Sequence, residues 1–166
     1  MNIKSIILSF LLVMMIQLVS AQIDQNYYYR LTNTFLGEGR SLDTYSGKTN
    51  EPFMGKTGNY SGQYWKITDQ GNGTYRLTNS FLGEGRSLDT YSGKTNEPFM
   101  GKTGNYSGQF WKLTDLGNGT YRLTNSFLGE GRSLDTYSGK TNEPFMGKTG
   151  NYSGQFWILT KIKPIQ

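Results

Sequence analysis

Nothing constrains this chain as tightly as its likeness to itself. Shifted by 46 residues, the sequence falls back on its own pattern: Tyr29, Tyr75 and Tyr121 open equivalent units at 29–74, 75–120 and 121–166. Units one and two differ at four positions, Thr34/Ser80, Tyr64/Phe110, Ile67/Leu113 and Gln70/Leu116, and 75–111 is identical to 121–157. A fixed period of this length marks one supersecondary unit used repeatedly, each copy relying on its neighbours to cover its apolar face. Copies this alike are also what recent duplication leaves. A residue that occurs three times therefore earns a role from its chemistry, not from its recurrence.

Each unit reads as four short strands, expected in the second copy at Thr74–Asn79, Arg86–Tyr91, Pro98–Lys102 and Gln109–Thr114. Tyr75-Arg76-Leu77-Thr78 alternates apolar and polar, as a half-buried strand does, and glycines punctuate the connections. Gly-Asn-Gly at 71–73 and again at 117–119 is a turn signal between one unit and the next. The third unit lacks it. Ile158 replaces the lysine of Lys112, and Asp115–Thr120 gives way to Lys161-Ile162-Lys163-Pro164-Ile165-Gln166. Three copies are too few for a propeller, which uses about four to eight blades, and an open solenoid needs capping ends. A ring closed by pairing Tyr29-Arg30-Leu31 with Trp157-Ile158-Leu159 leaves no free edge. The expectation is an all-β domain, closed with pseudo-three-fold symmetry, and a chain that stops at three units by design.

The composition agrees: 22 glycines, 12 tyrosines, abundant Thr, Ser and Asn, and no helix-favouring stretch. The chain has neither cysteine nor histidine. Disulfides, thiol nucleophiles, imidazole bases, Ser-His-Asp triads and most zinc or copper sites are thereby excluded. No calcium-loop pattern occurs, and no metal or cofactor is expected. The net charge of +5 is interspersed rather than blocked, so nucleic acid is not an expected partner. Ahead of the repeats, a lysine at position 4, an apolar run from Ser5 to Val19 and the small-residue exit Val19-Ser20-Ala21 have the layout of a secretory leader cleaved after Ala21. The expected organisation is a leader over 1–21, a lead-in over 22–28 and one domain over 29–166. No later stretch is apolar enough to span a bilayer, so the product is expected outside the cell without a membrane span. The sequence gives no indication of oligomeric state.

Two motifs recur in every unit. Gly-Arg-Ser-Leu-Asp stands at 39–43, 85–89 and 131–135, and about twenty residues later comes Gln-aromatic-Trp: Gln63-Tyr64-Trp65, Gln109-Phe110-Trp111 and Gln155-Phe156-Trp157. This pairing resembles the ricin-type β-trefoil lectins, whose repeats carry Gly-x-x-Leu-Asp and a closing Gln-x-Trp. The resemblance covers all three repeats and implies a β-trefoil of three four-stranded 46-residue repeats that binds glycans or glycoconjugates. Trp65, Trp111 and Trp157 are large apolar bodies suited to the core, and Gln63, Gln109 and Gln155 can tie a turn through both amide groups. Those six are expected to be structural, as are Leu42, Leu88 and Leu134.

For the sugar site, the resemblance implies Asp43, Asp89 and Asp135 as anchors for adjacent hydroxyls. A carboxylate suits that task, since each oxygen can take a charge-assisted hydrogen bond; the alternative is an Asp that merely caps a turn. An aromatic on the next strand would stack on the pyranose face. Counting back from the Gln favours Phe53, Phe99 and Phe145. A one-residue shift would substitute Met54, Met100 and Met146 and send the Phe inward, and Tyr60, Tyr106 and Tyr152 are a third choice. Binding repeats of the family often place Asn before the Gln, where this chain has Gly62, Gly108 and Gly154. Asn59, Asn105 and Asn151 stand three residues earlier as substitutes, and Lys56, Lys102 and Lys148 would suit an acidic glycan. Asn59-Tyr60-Ser61 and Asn72-Gly73-Thr74 also match a glycosylation acceptor. Catalysis would have to rest on Glu38, Asp43 and Glu51 and their copies, and three identical shallow sites are a poor setting for a tuned acid–base pair. The expected protein is a non-catalytic lectin; the alternative is a protein-binding or adhesive trefoil without a sugar ligand.

Overall fold

A computed structural model describes residues 23–166 apart from Ser46 and Ser138; the leader expected over 1–21 lies outside the described residues. Twelve strands follow in chain order. The first unit supplies β1 (Tyr27–Asn33), β2 (Arg40–Tyr45), β3 (Lys48–Lys56) and β4 (Trp65–Asp69). The second supplies β5 (Tyr75–Asn79), β6 (Arg86–Tyr91), β7 (Lys94–Lys102) and β8 (Trp111–Asp115). The third supplies β9 (Tyr121–Asn125), β10 (Arg132–Tyr137), β11 (Lys140–Lys148) and β12 (Trp157–Pro164). The first and last strands of each unit close into a six-stranded barrel in the order β1-β12-β9-β8-β5-β4, and each middle pair forms a separate hairpin. Strands β3, β7 and β11 of those hairpins touch one another across one end of the barrel. This is the three-fold closure expected from the repeats, and the β-trefoil that the resemblance implied.

The turns explain the antiparallel neighbours. Gly71, Asn72 and Gly73 all have positive φ, 75°, 49° and 76°, the backbone that lets a tight reversal match strand twist. The register puts apolar residues opposite each other, Ile67 on Leu77 and Leu113 on Leu123. At the closing seam Leu31 faces Leu159, within the same antiparallel arrangement. The turnless third unit runs straight on instead, and Lys161, Lys163 and Pro164 pair with Tyr29, Tyr28 and Tyr27. For that reason β1 begins at Tyr27, two residues before the repeat-defined start, and the lead-in contributes to the barrel. Ile23 packs on the core and Asp24 N–H donates to the Tyr29 hydroxyl at 2.8 Å.

Two other boundaries differ from expectation. The hairpin strand of unit two starts at Lys94 rather than Pro98, because Tyr91 pairs with Lys94 beyond a register irregularity after Asp89. Such an irregularity accommodates a proline that cannot donate to the ladder. The last strand starts at Trp111 rather than Gln109, because Ser107–Gln109 coils into a short 3₁₀ turn.

The core is layered by the repeat. Trp65, Trp111 and Trp157 are fully buried together with Leu31/77/123, Leu42/88/134 and Met54/100/146. Each Trp indole donates to the carbonyl of the preceding hairpin's Leu42, Leu88 or Leu134 at 2.8 Å. That bond satisfies the one polar atom the indole brings inside and locks hairpin to barrel. Among the described residues no helix is long and apolar enough to cross a membrane.

Candidate functional site

Three equivalent recesses open where hairpin, 3₁₀ turn and loop meet. The first, of about 590 Å³, is lined by Asp43, Thr44, Tyr45, Phe53, Gly55, Lys56, Asn59, Tyr60, Ser61, Gly62 and Phe81. The second and third repeat it around Asp89 and Asp135, at about 590 and 570 Å³. These volumes lie within the ~300–1,000 Å³ of small-molecule sites, and the lining mixes aromatic faces with a few polar groups as such sites do.

The Gln of each Gln-x-Trp builds the site. Gln63 is fully buried. Its Nε2 donates to Asp43 Oδ2 at 2.8 Å and to the Lys56 carbonyl at 2.9 Å, while its Oε1 accepts from Gly58 N–H at 3.0 Å. Gln109 and Gln155 make the same three bonds. One amide therefore fixes the aspartate, the hairpin strand and the loop that carries Asn59 and Tyr60. From the other side Arg30 Nη2 donates to the Gly58 carbonyl at 2.6 Å, and Arg76 and Arg122 repeat this at Gly104 and Gly150. Both polar groups of the loop glycine are thus engaged, so the loop is held in place before any ligand arrives.

Asp43, Asp89 and Asp135 sit at the floor, only 5–6% exposed. Burial is the main influence on each carboxyl and pushes its pKa above the usual aspartate value; the bonds from the Gln amide and the following backbone N–H oppose the rise. In unit one Thr44 N–H donates to Asp43 Oδ1 at 2.7 Å, so this aspartate also caps its turn. In units two and three the Thr90 and Thr136 N–H groups still lower the carboxyl's pKa, but Oδ1 of Asp89 and of Asp135 is buried with no contact of full hydrogen-bond geometry. A carboxylate offers about four acceptor positions, so capacity remains at all three.

Of the three choices for the stacking position, the structure places one in the core and two at the recesses. Met54, Met100 and Met146 are fully buried in the core, because they face Leu42, Leu88 and Leu134 across the hairpins. Phe53, Phe99 and Phe145 lie opposite the aspartates and line the recesses. Tyr60, Tyr106 and Tyr152 line them too, at 57–59% exposure. Asn59, Asn105 and Asn151 line them as well, so the Asp, Phe, Asn and Tyr candidates come together as three sets of four. The glycines before the Gln are also explained. A Cβ on Gly62 would stand 2.0 Å from the Thr44 carbonyl oxygen and 2.3 Å from Asp43 Oδ1, and Gly108 and Gly154 meet the same obstacles. A side chain has no room here, and the backbone packs directly on the carboxylate instead.

Sequence reasoning missed two sets of aromatics. Tyr45, Tyr91 and Tyr137 pack edge-on to Phe53, Phe99 and Phe145 with ring centroids 5.1 Å apart, bracing the ring at the wall. Phe81, Phe127 and Phe35 reach each recess from the following unit, the last across the closing seam. Only the packing of one unit against the next brings them there.

No family model and no curated protein sequence matches this chain. Solved structures do. A designed three-fold symmetric protein, ThreeFoil, superposes with a TM-score of 0.69 at 24% identity, over 81% of this chain and 99% of that one. SeviL, solved bound to asialo-GM1 saccharide, gives a TM-score of 0.61 at 20% identity over 84% of this chain and all of its own. A GlcNAcα1-4Gal-releasing endo-β-galactosidase from Clostridium perfringens gives 0.70 at 18% identity; this chain spans 33% of its length. These likenesses establish the β-trefoil fold.

Proposed function

We propose that this protein is an exported, non-catalytic glycan-binding protein with three equivalent weak sites. The observation that carries the reading is the recess itself: a buried aspartate with acceptor positions to spare beneath Asn59, Lys56 and two aromatic faces, repeated at Asp89 and Asp135. Sugars present that complement, hydroxyls on the ring edge and C–H groups on its face. SeviL, a β-trefoil neighbour, was solved with a saccharide, which supports the same chemistry. A millimolar site is worth about −4 kcal/mol, but three sites on a multivalent glycan surface can raise apparent affinity by ~10²–10⁴.

A second reading is favoured by the Thr44 bond: an aspartate whose oxygens both serve the protein suits an adhesive or protein-binding trefoil. A glycan array on the wild type and on a triple Asp43/Asp89/Asp135→Ala variant separates the two. Silence of the wild type on every glycan sinks the lectin reading. Binding that disappears only in a folded triple variant supports it. Release of reducing sugar from polysaccharides by the wild type would instead point to a hydrolase.

A further inference from the structure

We infer that Phe35, Phe81 and Phe127 form a second subsite in each recess, which holds the next sugar residue of an oligosaccharide anchored at the aspartate. The inference rests on the glycan reading and extends it from a single ring to a linked pair. Each of these phenylalanines is 38–39% exposed, and each faces a recess whose remaining lining belongs entirely to the preceding unit. A large ring left open at the rim of a polar recess presents its negative face to the C–H groups of a pyranose. Phe53 already lies on the aspartate's side, opposite Asp43 in the hairpin, so the recess carries aromatic faces from two units.

The phenylalanine is fixed to the floor it serves. Asn79 Nδ2 donates to Thr44 Oγ1 at 2.8 Å, and Thr44 is the neighbour of Asp43. The same Asn79 accepts from Leu82 N–H at 2.9 Å through Oδ1, and its carbonyl accepts from Gly83 N–H at 2.9 Å. Gly83 has φ +68°, which closes the turn that presents Phe81. Ser80 N–H donates to the Tyr64 carbonyl at 2.9 Å, tying the same segment to the preceding unit again. Asn125 with Thr90, and Asn33 with Thr136, repeat the clamp at the other two junctions. The spacing between aspartate and phenylalanine is therefore set before binding, as a subsite that selects length requires.

Calorimetry tests this on the full mature chain. The titrants are the tightest-binding oligosaccharide of a glycan array and each monosaccharide it contains, against wild type and a triple Phe35/Phe81/Phe127→Ala variant. Wild type should bind the oligosaccharide about tenfold more tightly than any component sugar. The variant should lose about five- to tenfold on the oligosaccharide and less than about twofold on the monosaccharide. A triple Phe→Tyr variant, which keeps the ring, should retain the preference and guards against a folding defect in the Ala variant. An oligosaccharide advantage that survives in the Ala variant overturns the inference, as does an equal loss on monosaccharide and oligosaccharide. An array with no binding to any glycan overturns the glycan reading and this inference together, so the two failures are distinguishable.

Discussion

Replacing Gln63 by Ala in an otherwise intact chain should cost about 3 kcal/mol of stability and silence one recess of the three. The side chain is fully buried and makes three hydrogen bonds, to Asp43 Oδ2, the Lys56 carbonyl and Gly58 N–H. Each partner left unsatisfied in the interior costs ~1–3 kcal/mol. Gly58 lies beside an open recess, where water can relieve part of the loss, so the low end of the sum applies. Against a typical domain stability of ~5–15 kcal/mol this is a large fraction. Urea unfolding followed by tryptophan fluorescence should show a lower midpoint with an unchanged slope. Gln63→Glu sharpens the test. A carboxylate there still accepts from Gly58 but sets an anionic oxygen against Asp43 Oδ2 and the Lys56 carbonyl. Protonation restores a donor, so this variant should regain stability on acidification relative to wild type, whereas Gln63→Ala should not. A cost below about 1 kcal/mol for Ala, or a pH-independent Glu variant, would refute the idea that this amide organises the site.

Other outcomes follow from the same geometry. Gly108→Ala forces a Cβ to within 2.0 Å of the Thr90 carbonyl oxygen, so it should lower the thermal midpoint measured by circular dichroism and abolish binding at the second recess alone. Because burial raises the three aspartate pKa values, the folded state holds these protons more tightly than the unfolded chain. Their contribution to stability thus declines as pH rises through the interval from the usual aspartate value to the raised one, and is most favourable below it. Glycan affinity should run the other way, falling on acidification with a midpoint above 3.8, the ordinary aspartate value; isothermal titrations across pH check this. Mass spectrometry of protein collected from the medium of an expressing host should find Gln22 as the first residue, and retention of residues 1–21 would overturn the proposed leader.

The architecture was legible because two independent periodicities agreed. The 46-residue offset set the number of units, and alternation within Tyr75–Thr78 together with the Gly-Asn-Gly turns set the strands of the barrel. Pairing at the closing seam could be anticipated because the third unit lacks a turn where the others have one. The hairpins were less legible. Lys94-Thr95-Asn96 carries no apolar alternation, and Pro98 looks like a strand start, yet pairing of Tyr91 with Lys94 extends the strand past it. The chain-local parts of the site, Asp43, Phe53, Asn59 and Tyr60, could be picked out because they fall within one repeat beside a motif. Phe81 could not. It lies nearly forty residues from Asp43 in sequence, and only the packing of the second unit on the first, clamped by Asn79 on Thr44, brings it to the recess. The glycine before each Gln was likewise misleading on its own: a missing Asn reads as a lost contact, but the backbone there occupies the space the side chain would need.

Every motif is complete within a repeat, but no recess is, because each takes its aspartate from one unit and its rim phenylalanine from the next. An open array of three such units would build only two complete recesses; closure builds the third from Asp135 and Phe35. Its junction depends on Asn33 Nδ2 donating to Thr136 Oγ1 at 2.9 Å and Thr34 N–H donating to the Phe156 carbonyl at 3.0 Å. Asn33→Ala removes the first bond and also the Oδ1 acceptor that holds Leu36 N–H at 3.0 Å, freeing the turn that carries Phe35. The variant should therefore impair the Asp135 recess while the recesses at Asp43 and Asp89 keep their affinity, although Asn33 stands a hundred residues away in sequence. Chemical-shift mapping with a titrated oligosaccharide reads each recess separately through the Trp65, Trp111 and Trp157 indole protons. Uniform weakening at all three would mean that the seam supports the barrel as a whole, and equal retention at all three would mean that the recesses are self-contained within their repeats.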